Sequence, residues 1–524
     1  MSPRAKQRTV KTRRLSPWRI LLAISIIVAG TALATFGWRE WRVDPTLLSN
    51  KPWFAPYVDV TATPQFNFEQ LGSNTYKDAV LSFIVASPDD GCTPTWGGEY
   101  TLDQAASSLD LDRRIARLKQ QGGTVAVSFG GLLNNELATT CHDEGKLLAA
   151  YRTVVERYNL TTIDLDLEKE ALTDPVTNAR RAKVIAMLQD ERREADKPFA
   201  VWATVPVTSQ GLNEDGTNAI SALLKDSVDL AGINIMTMNY NEGKTASSKS
   251  SAERAINAIT NTKRQISVLY EQAGTHLNDA TLWRKIGITP MIGQTDIKDE
   301  VFTLADAKQI NQFARDNGAG RMSMWSANRD AECGSNYVDL TIVSDSCSGV
   351  KQSKFAFMLA LGNEFNGTIA GSAVNVTKNE AKQIISDDPE TSPYPIWTES
   401  AAYLQGTKVV WQGNVYEAKW WNRGDSPDNP VLQAYETPWK LVGPVLPGEK
   451  RIEQPKLPEG TYVNWSGDGT YEAGQRVLFE GTPYQAKWWT RGDSPAAASS
   501  DPSSSPWIAL TQAEINAVIQ QSQN

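Results

Sequence analysis

Between residues 52 and 365, short apolar runs take turns with charged stretches of helical periodicity, and this alternation leaves few folds open to the chain. The apolar runs lie at 55–60, 79–85, 124–128, 162–167, 199–205, 232–238, 287–292 and 321–325. Helical patterns fall between them, for example at 110–121, 145–158, 179–195 and 251–272. Eight strands alternating with helices over roughly 310 residues predict an α/β fold of the (β/α)8 TIM-barrel type. In such a barrel the reacting groups gather at the C-terminal ends of the strands, whatever the chemistry.

A different organisation follows. Residues 416–427 read Tyr-Glu-Ala-Lys-Trp-Trp-Asn-Arg-Gly-Asp-Ser-Pro, and 484–495 read Tyr-Gln-Ala-Lys-Trp-Trp-Thr-Arg-Gly-Asp-Ser-Pro. The 68-residue offset also pairs Trp397 with Trp465, Tyr403 with Tyr471, Val409 with Val477 and Trp439 with Trp507. Aromatics and glycines persist while polar residues drift, as expected of a duplicated small module. Nine of the 17 tryptophans follow residue 390, more than cores of about 50 residues can absorb. One ring of each pair, Trp420–Trp421 and Trp488–Trp489, is therefore expected to be an exposed stacking platform, with sugar rings the obvious ligand. The Arg-Gly-Asp tripeptides at 423–425 and 491–493 are read as part of the repeat. The expected boundaries are a barrel at 52–365, a polar linker at 366–394, modules at 395–443 and 461–511, and a proline-rich spacer at 444–460.

The net charge of −8 argues against nucleic acid as a partner. With only His142 and His276, a multi-histidine metal centre or histidine-based nucleophilic catalysis is disfavoured, and no metal or cofactor is expected. Acid–base chemistry must rest on carboxylates. A basic flank at 1–19 precedes the uncharged, mostly apolar segment 20–38, which suits either an export signal or an uncleaved membrane anchor. Ala32-Leu33-Ala34 resembles a cleavage site. Four cysteines fit two disulfides in an exported protein, Cys333 with Cys347 and Cys92 with Cys141.

The chemistry is expected in the fourth strand, where 163–168 read Ile-Asp-Leu-Asp-Leu-Glu. Alternation puts Asp164, Asp166 and Glu168 on one face. Like charges crowded in a covered strand raise at least one pKa, and a proton kept at neutral pH is what a general acid needs. Glu168 lies nearest the strand's C-terminal end. An exposed acidic strand or a Ca²⁺ site would carry the same letters.

This segment resembles the signature of the family 18 glycoside hydrolases, Asp-Gly-x-Asp-x-Asp-x-Glu. Ser128-Phe-Gly-Gly131 is similar to that family's third-strand Ser-x-Gly-Gly, and Met236-Thr-Met-Asn-Tyr240 to its sixth-strand motif. Trp325 falls where the family places a tryptophan under the bound sugar, and Pro94-Thr-Trp-Gly-Gly98 resembles a loop of its bacterial chitinases. The repeats resemble chitin-binding modules of carbohydrate-binding families 5 and 12. The resemblance implies a chitinase acting on chitin and N-acetylglucosamine oligomers; with the N-terminal segment, the chain is expected to be exported or membrane-anchored, and a monomer. Glu168 would protonate the glycosidic oxygen, and the substrate's own 2-acetamido oxygen would attack C1 with net retention. Asp166 would hold the acetamido nitrogen, and Asp164 would exchange charge with it, the three acids titrating together. Tyr240 and Asn239 would hold the acetamido group, Trp325 would stack under the ring, and Met238, Tyr57 and Ser128 are further candidate contacts.

The chain departs from the signature in two places. Thr161-Thr162 replaces its Asp-Gly, away from the reaction. Asn239 stands where the sixth-strand motif carries an Asp, which predicts a less acidic site and an altered pH optimum. A non-catalytic lectin-like barrel, or an enzyme cleaving another N-acetylglucosamine glycan, are the alternatives.

Overall fold

The computed structural model describes residues 51–523, apart from 74–75, 242–248, 299, 336–341, 374–376, 382–384, 447, 453–456 and 497–503. The segment 1–38 lies outside these. Among the described residues no helix is long and apolar enough to cross a membrane.

Strands β1 (Trp53–Phe54) and β2 (Tyr57–Asp59) form one broken stave, followed by β3 (Ala79–Ala86). A short antiparallel excursion, β4 (Pro94–Trp96) and β5 (Tyr100–Thr101), hangs from the end of β3. Then come β6 (Val125–Gly130), β7 (Thr162–Asp166), β8 (Ala200–Pro206), β9 (Leu230–Met236) and β10 (Ile286–Thr289). A hairpin of β11 (Gly293–Gln294) and β12 (Val301–Phe302) precedes the last stave, β13 (Arg321–Met322). Parallel pairing runs from β3 through β6, β7, β8, β9 and β10 to β13. The sheet closes because β13 pairs with β1 while β2 pairs with β3. The predicted eight-stave barrel is therefore present, its first stave split in two and its last two shorter than the apolar runs that announce them.

Closure divides the apolar residues into two sets. Outward residues such as Val127, Ile163, Leu165, Val201, Ile233 and Ile288 pack under helices including Leu111–Gln120, Glu144–Arg157, Pro175–Glu194 and Ser251–Gln272. A smaller set, Trp53, Ala55, Tyr57, Val80, Ala126 and Trp202, fills the barrel interior together with Ile369. Ile369 comes from the stretch expected to be a linker. Instead of hanging free, that stretch is tied to the barrel: the Gly367 amide donates to the Pro52 carbonyl and the Ile369 amide to the Asp78 carboxylate. Farther on, the Thr377 amide donates to Asp229 and the Glu380 carboxylate accepts from Asn278 and Thr281.

Both expected disulfides are formed, Cys92–Cys141 and Cys333–Cys347. The first joins the β3–β4 connection to the loop after β6; the second staples the loop after β13.

Each repeat folds as a small β unit. Strands Lys408–Trp411, Asn414–Ala418 and Trp439–Pro444 make the first sheet; Arg476–Phe479, Thr482–Ala486 and Trp507–Ala509 make its counterpart. Tyr403, Val409, Ala418 and Trp439 form one core, and Tyr471, Val477, Tyr484, Ala486 and Trp507 the other. The indole nitrogens of Trp439 and Trp507 each donate 2.8 Å to the backbone carbonyl of the Arg-Gly-Asp aspartate, Asp425 or Asp493. Those tripeptides thus have a structural task within the repeat.

Removing buried aliphatic atoms from a closed interior leaves a void that the surroundings only partly fill. Ile369→Ala should therefore lower the barrel's unfolding free energy by about 2–5 kcal/mol in denaturant titration. An unchanged midpoint would show that residues beyond 365 add nothing to the barrel.

Candidate active site

Strand alternation places Asp164 and Asp166 inside the barrel and sends Ile163, Leu165 and Leu167 under the helices. Glu168, just past β7, keeps an extended backbone (φ −131°, ψ 161°), so it continues the inward ladder to the strand's C-terminal end. Helix Lys169–Thr173 begins immediately after it.

Asp164 is fully buried and saturated with partners. Arg321 Nη1 lies 2.6 Å from Oδ1, which also accepts from Thr204 Oγ1 at 2.7 Å. Oδ2 accepts from Ser128 Oγ at 2.7 Å and Tyr57 Oη at 2.8 Å. Arg321 reaches Tyr57 Oη as well, at 3.0 Å, and its guanidinium sits 5.1–5.5 Å from the rings of Trp53, Tyr57 and Trp202. Asn234 and Thr289 extend the network through Thr204.

Asp166 is the opposite case. It is buried, and its Oδ1 has no hydrogen-bond partner. Burial pushes its carboxyl well above the usual range, reinforced by Glu168 and Asp164 and opposed by Arg321. Glu168, half-buried at the mouth, is pushed up to about 7, chiefly by burial; Lys169 opposes the rise and Asp296 adds to it.

Gly130 and Gly131 bring the third stave against this ladder. Both have left-handed backbones (φ +106° and +87°), and a Cβ on Gly130 would lie 2.1 Å from the Asp166 carbonyl oxygen. That carbonyl accepts from the Gly131 amide at 3.0 Å. Trp325 lines the interior beside Phe83, the rings stacked at 5.5 Å, with Tyr57 at 6.0 Å. Among the described residues, no cluster of His, Cys, Asp and Glu is arranged to hold a metal ion.

Comparison with known proteins matches the C-terminal repeats, at 396–440 and 464–507, to carbohydrate-binding module family 5/12. The barrel is similar to a probable bifunctional chitinase/lysozyme of Escherichia coli, 30% identical over 338 residues, or 63% of this chain and 36% of that protein. It is also similar to endochitinase 11 of Metarhizium anisopliae, 29% identical over 330 residues, or 62% of this chain and 59% of that one. The chain thus spans about a third and three fifths of the length of these curated relatives. The crystal structure of the catalytic domain of a hyperthermophilic chitinase from Pyrococcus furiosus superposes with a TM-score of 0.51 at 27% identity, covering 60% of this chain and 97% of that domain. The chain thus resembles chitinases in sequence and fold, and its repeats match family 5/12 modules.

Within this barrel two expectations need correction. Tyr57 and Ser128 do not face a ligand: each is buried, and each hydroxyl is engaged with Asp164. Asn239 does not leave its corner of the site without negative charge either. Its Nδ2 donates 2.7 Å to Asp296 Oδ2, in the loop after β11, so a carboxylate missing from the sixth strand's end is supplied from the seventh. Because a carboxylate only accepts, Asn239 must turn its amide nitrogen to Asp296, and its Oδ1 is left buried with no partner. The left-handed backbone at Asn239 (φ +54°) is one that asparagine tolerates. Met238 and Tyr240 flank it, half-buried and buried respectively. Glu300 accepts from the amides of Tyr240 and Asn241 at 3.2 and 3.0 Å and pairs with Arg254, whose guanidinium lies 5.5 Å from the Tyr240 ring.

Sequence reasoning missed Arg321, Thr204, Asn234, Asp296 and Glu300. Arg321 had a readable signal: a lone arginine opening an apolar barrel strand needs a buried carboxylate. Asp296 and Glu300 had none, because their partners are 57 and 60 residues away.

In the modules, Trp420 is 42% exposed and Trp421 half-buried, whereas Trp488 and Trp489 are 44% and 56% exposed. The first pair matches the expectation of one open ring; the second offers both. Lys419 lies over the Trp420 ring and Lys487 over Trp488, at 4.7 and 4.5 Å.

A neighbouring anion favours the protonated form of a carboxyl. Asp296→Asn should therefore lower the Glu168 midpoint below about 7, and Asn239→Asp should raise it. Carboxyl chemical shifts of ¹³C-glutamate followed against pH would show this; an unmoved midpoint in both variants would dismiss Asp296 as an influence.

Proposed function

We propose that the barrel hydrolyses β-1,4-linked N-acetylglucosamine polymers, foremost chitin, with retention of configuration, and that the modules hold it on the insoluble polymer. The observation that carries this reading is the graded acidic ladder. Asp164 is locked into a buried ion pair, Asp166 is buried with an unpartnered oxygen, and Glu168 titrates near neutrality at the mouth.

Each step has a group suited to it. Glu168 carries a proton at neutral pH and gives it to the glycosidic oxygen as the C1–O bond breaks. The 2-acetamido carbonyl oxygen attacks C1 from the opposite face and closes an oxazolinium ion, while Asp166 Oδ1 accepts the acetamido N–H and the carboxylate left on Glu168 balances the positive charge. Water, deprotonated by Glu168, then adds to C1 from the leaving-group side, restoring the acetamido group and the original configuration. Trp325 supports the sugar ring at the bottom of the cleft, and Tyr240 and Asn239 line the acetamido side. Asp164, held by Arg321, sets the field behind Asp166.

Tandem modules raise retention on an extended polymer by avidity. The two disulfides suit an oxidising compartment, so we place the barrel outside the cytoplasm. The relative named chitinase/lysozyme makes peptidoglycan the alternative substrate to test, and the two family 5/12 modules favour chitin.

Glu168→Gln should reduce turnover of chitin oligomers by at least about 10²-fold, and β-anomers seen early by NMR in the parent enzyme should vanish with it. Because the acid must be protonated, kcat/KM should fall as pH rises through about 7. Initial α-anomers, or full activity in the variant, would discard the mechanism; cleavage of peptidoglycan alone would move the substrate.

Removing 393–524 should weaken action on insoluble chitin and spare soluble oligomers, measured as initial rates on each. Equal loss on both would count against a separate binding role.

A further inference from the structure

The 68-residue repeat predicts two equivalent binding faces, and the folded chain makes them unequal. Trp488 and Trp489 of the second module stand open to solvent. In the first module Trp420 is as open as Trp488, but Trp421 is half-buried, and both line a cleft of about 1080 Å³, slightly beyond the roughly 300–1,000 Å³ of ordinary ligand pockets. Its opposite wall is the second module's hairpin, with Phe479, Glu480 and Tyr484. Two contacts span the gap. Arg423 Nη1 meets Glu480 Oε2 at 3.1 Å, and the Gln512 amide donates to the Gln405 carbonyl at 2.9 Å.

The lining combines the two elements that bind a sugar chain. Indole and phenyl faces stack against the apolar C–H faces of pyranose rings, and the side chains of Gln405, Gln485 and Glu480 offer hydrogen-bond partners to hydroxyl and acetamido groups. A wall on each side also excludes a crystal face: a flat chitin surface can rest on Trp488 and Trp489, but it cannot reach a half-buried Trp421 between two modules. One chain can.

We propose that the space between the modules is a composite site for a single N-acetylglucosamine chain, distinct from the open Trp488–Trp489 platform. This rests on chitin being the ligand of the modules. The two repeats then divide the work, one gripping the polymer surface and the other a strand lifted from it.

The full chain, carrying Glu168→Gln to prevent hydrolysis and labelled with 5-fluorotryptophan, allows each ring to be followed by ¹⁹F NMR as chitohexaose is added. Trp421→Phe and Trp489→Phe assign the two signals. The Trp421 signal should respond, and Glu480→Arg, which sets two cations against each other at the mouth, should weaken that response by about fivefold. Arg423→Glu combined with Glu480→Arg should restore it, and the Trp489 response should be the same in all of these proteins. A Trp421 response untouched by Glu480→Arg, or no Trp421 response beside a clear one at Trp489, would overturn the composite site and leave the chitin reading standing. Silence of both signals, with insoluble chitin also failing to retain the protein, would overturn both.

Discussion

The fold and the site both depend on the buried pair of Asp164 and Arg321. They come from the fourth and eighth staves and meet inside the barrel, so they can pair only when the sheet closes on itself. Neither charge is exposed, and leaving one without the other would cost about 3–5 kcal/mol. Four further staves contribute to the same cluster: Tyr57 from β2, Ser128 from β6, Thr204 from β8 and Asn234 from β9. Polar groups brought into such an interior must all be satisfied at once, which ties the register of those staves together.

That cluster gives the acidic ladder its gradient. Three like carboxylates on one strand would be intolerable if all were alike. Arg321 and three hydroxyls compensate the deepest one, burial without a partner leaves the middle one poorly ionised, and only the outermost is placed to exchange protons with a substrate. In the proposed reaction the ladder therefore runs from structural to chemical over three alternating positions. The loop after β11 adjusts its outer end, where Asp296 both orients Asn239 and adds negative charge near Glu168.

The modules show that equal sequences need not present equal surfaces. Their internal cores match at four positions, Tyr403 with Tyr471, Val409 with Val477, Ala418 with Ala486 and Trp439 with Trp507, and so do their indole-to-backbone bonds. What differs is the neighbour. The first module also touches the barrel, where Arg264 donates to the carbonyls of Val431 and Leu432, while the second leans on the first.

Much of this was legible in the residues alone, because the signals were local. Short apolar runs between helical patterns marked the eight staves, alternation put Asp164, Asp166 and Glu168 on one face, the 68-residue offset revealed two modules, and the expected pairing of the four cysteines is the one formed. Tertiary structure decided the rest, because it depended on distance in space. Arg321 finds Asp164 across 157 residues, Asp296 replaces a charge absent from the sixth strand's end, Tyr57 and Ser128 are consumed by a buried network, and Ile369 turns an apparent linker into part of the barrel. A strand's periodicity states which way a side chain points. Only closure of the barrel and docking of the modules determine what it meets there, since partners far apart in the chain leave no mark on each other's local pattern.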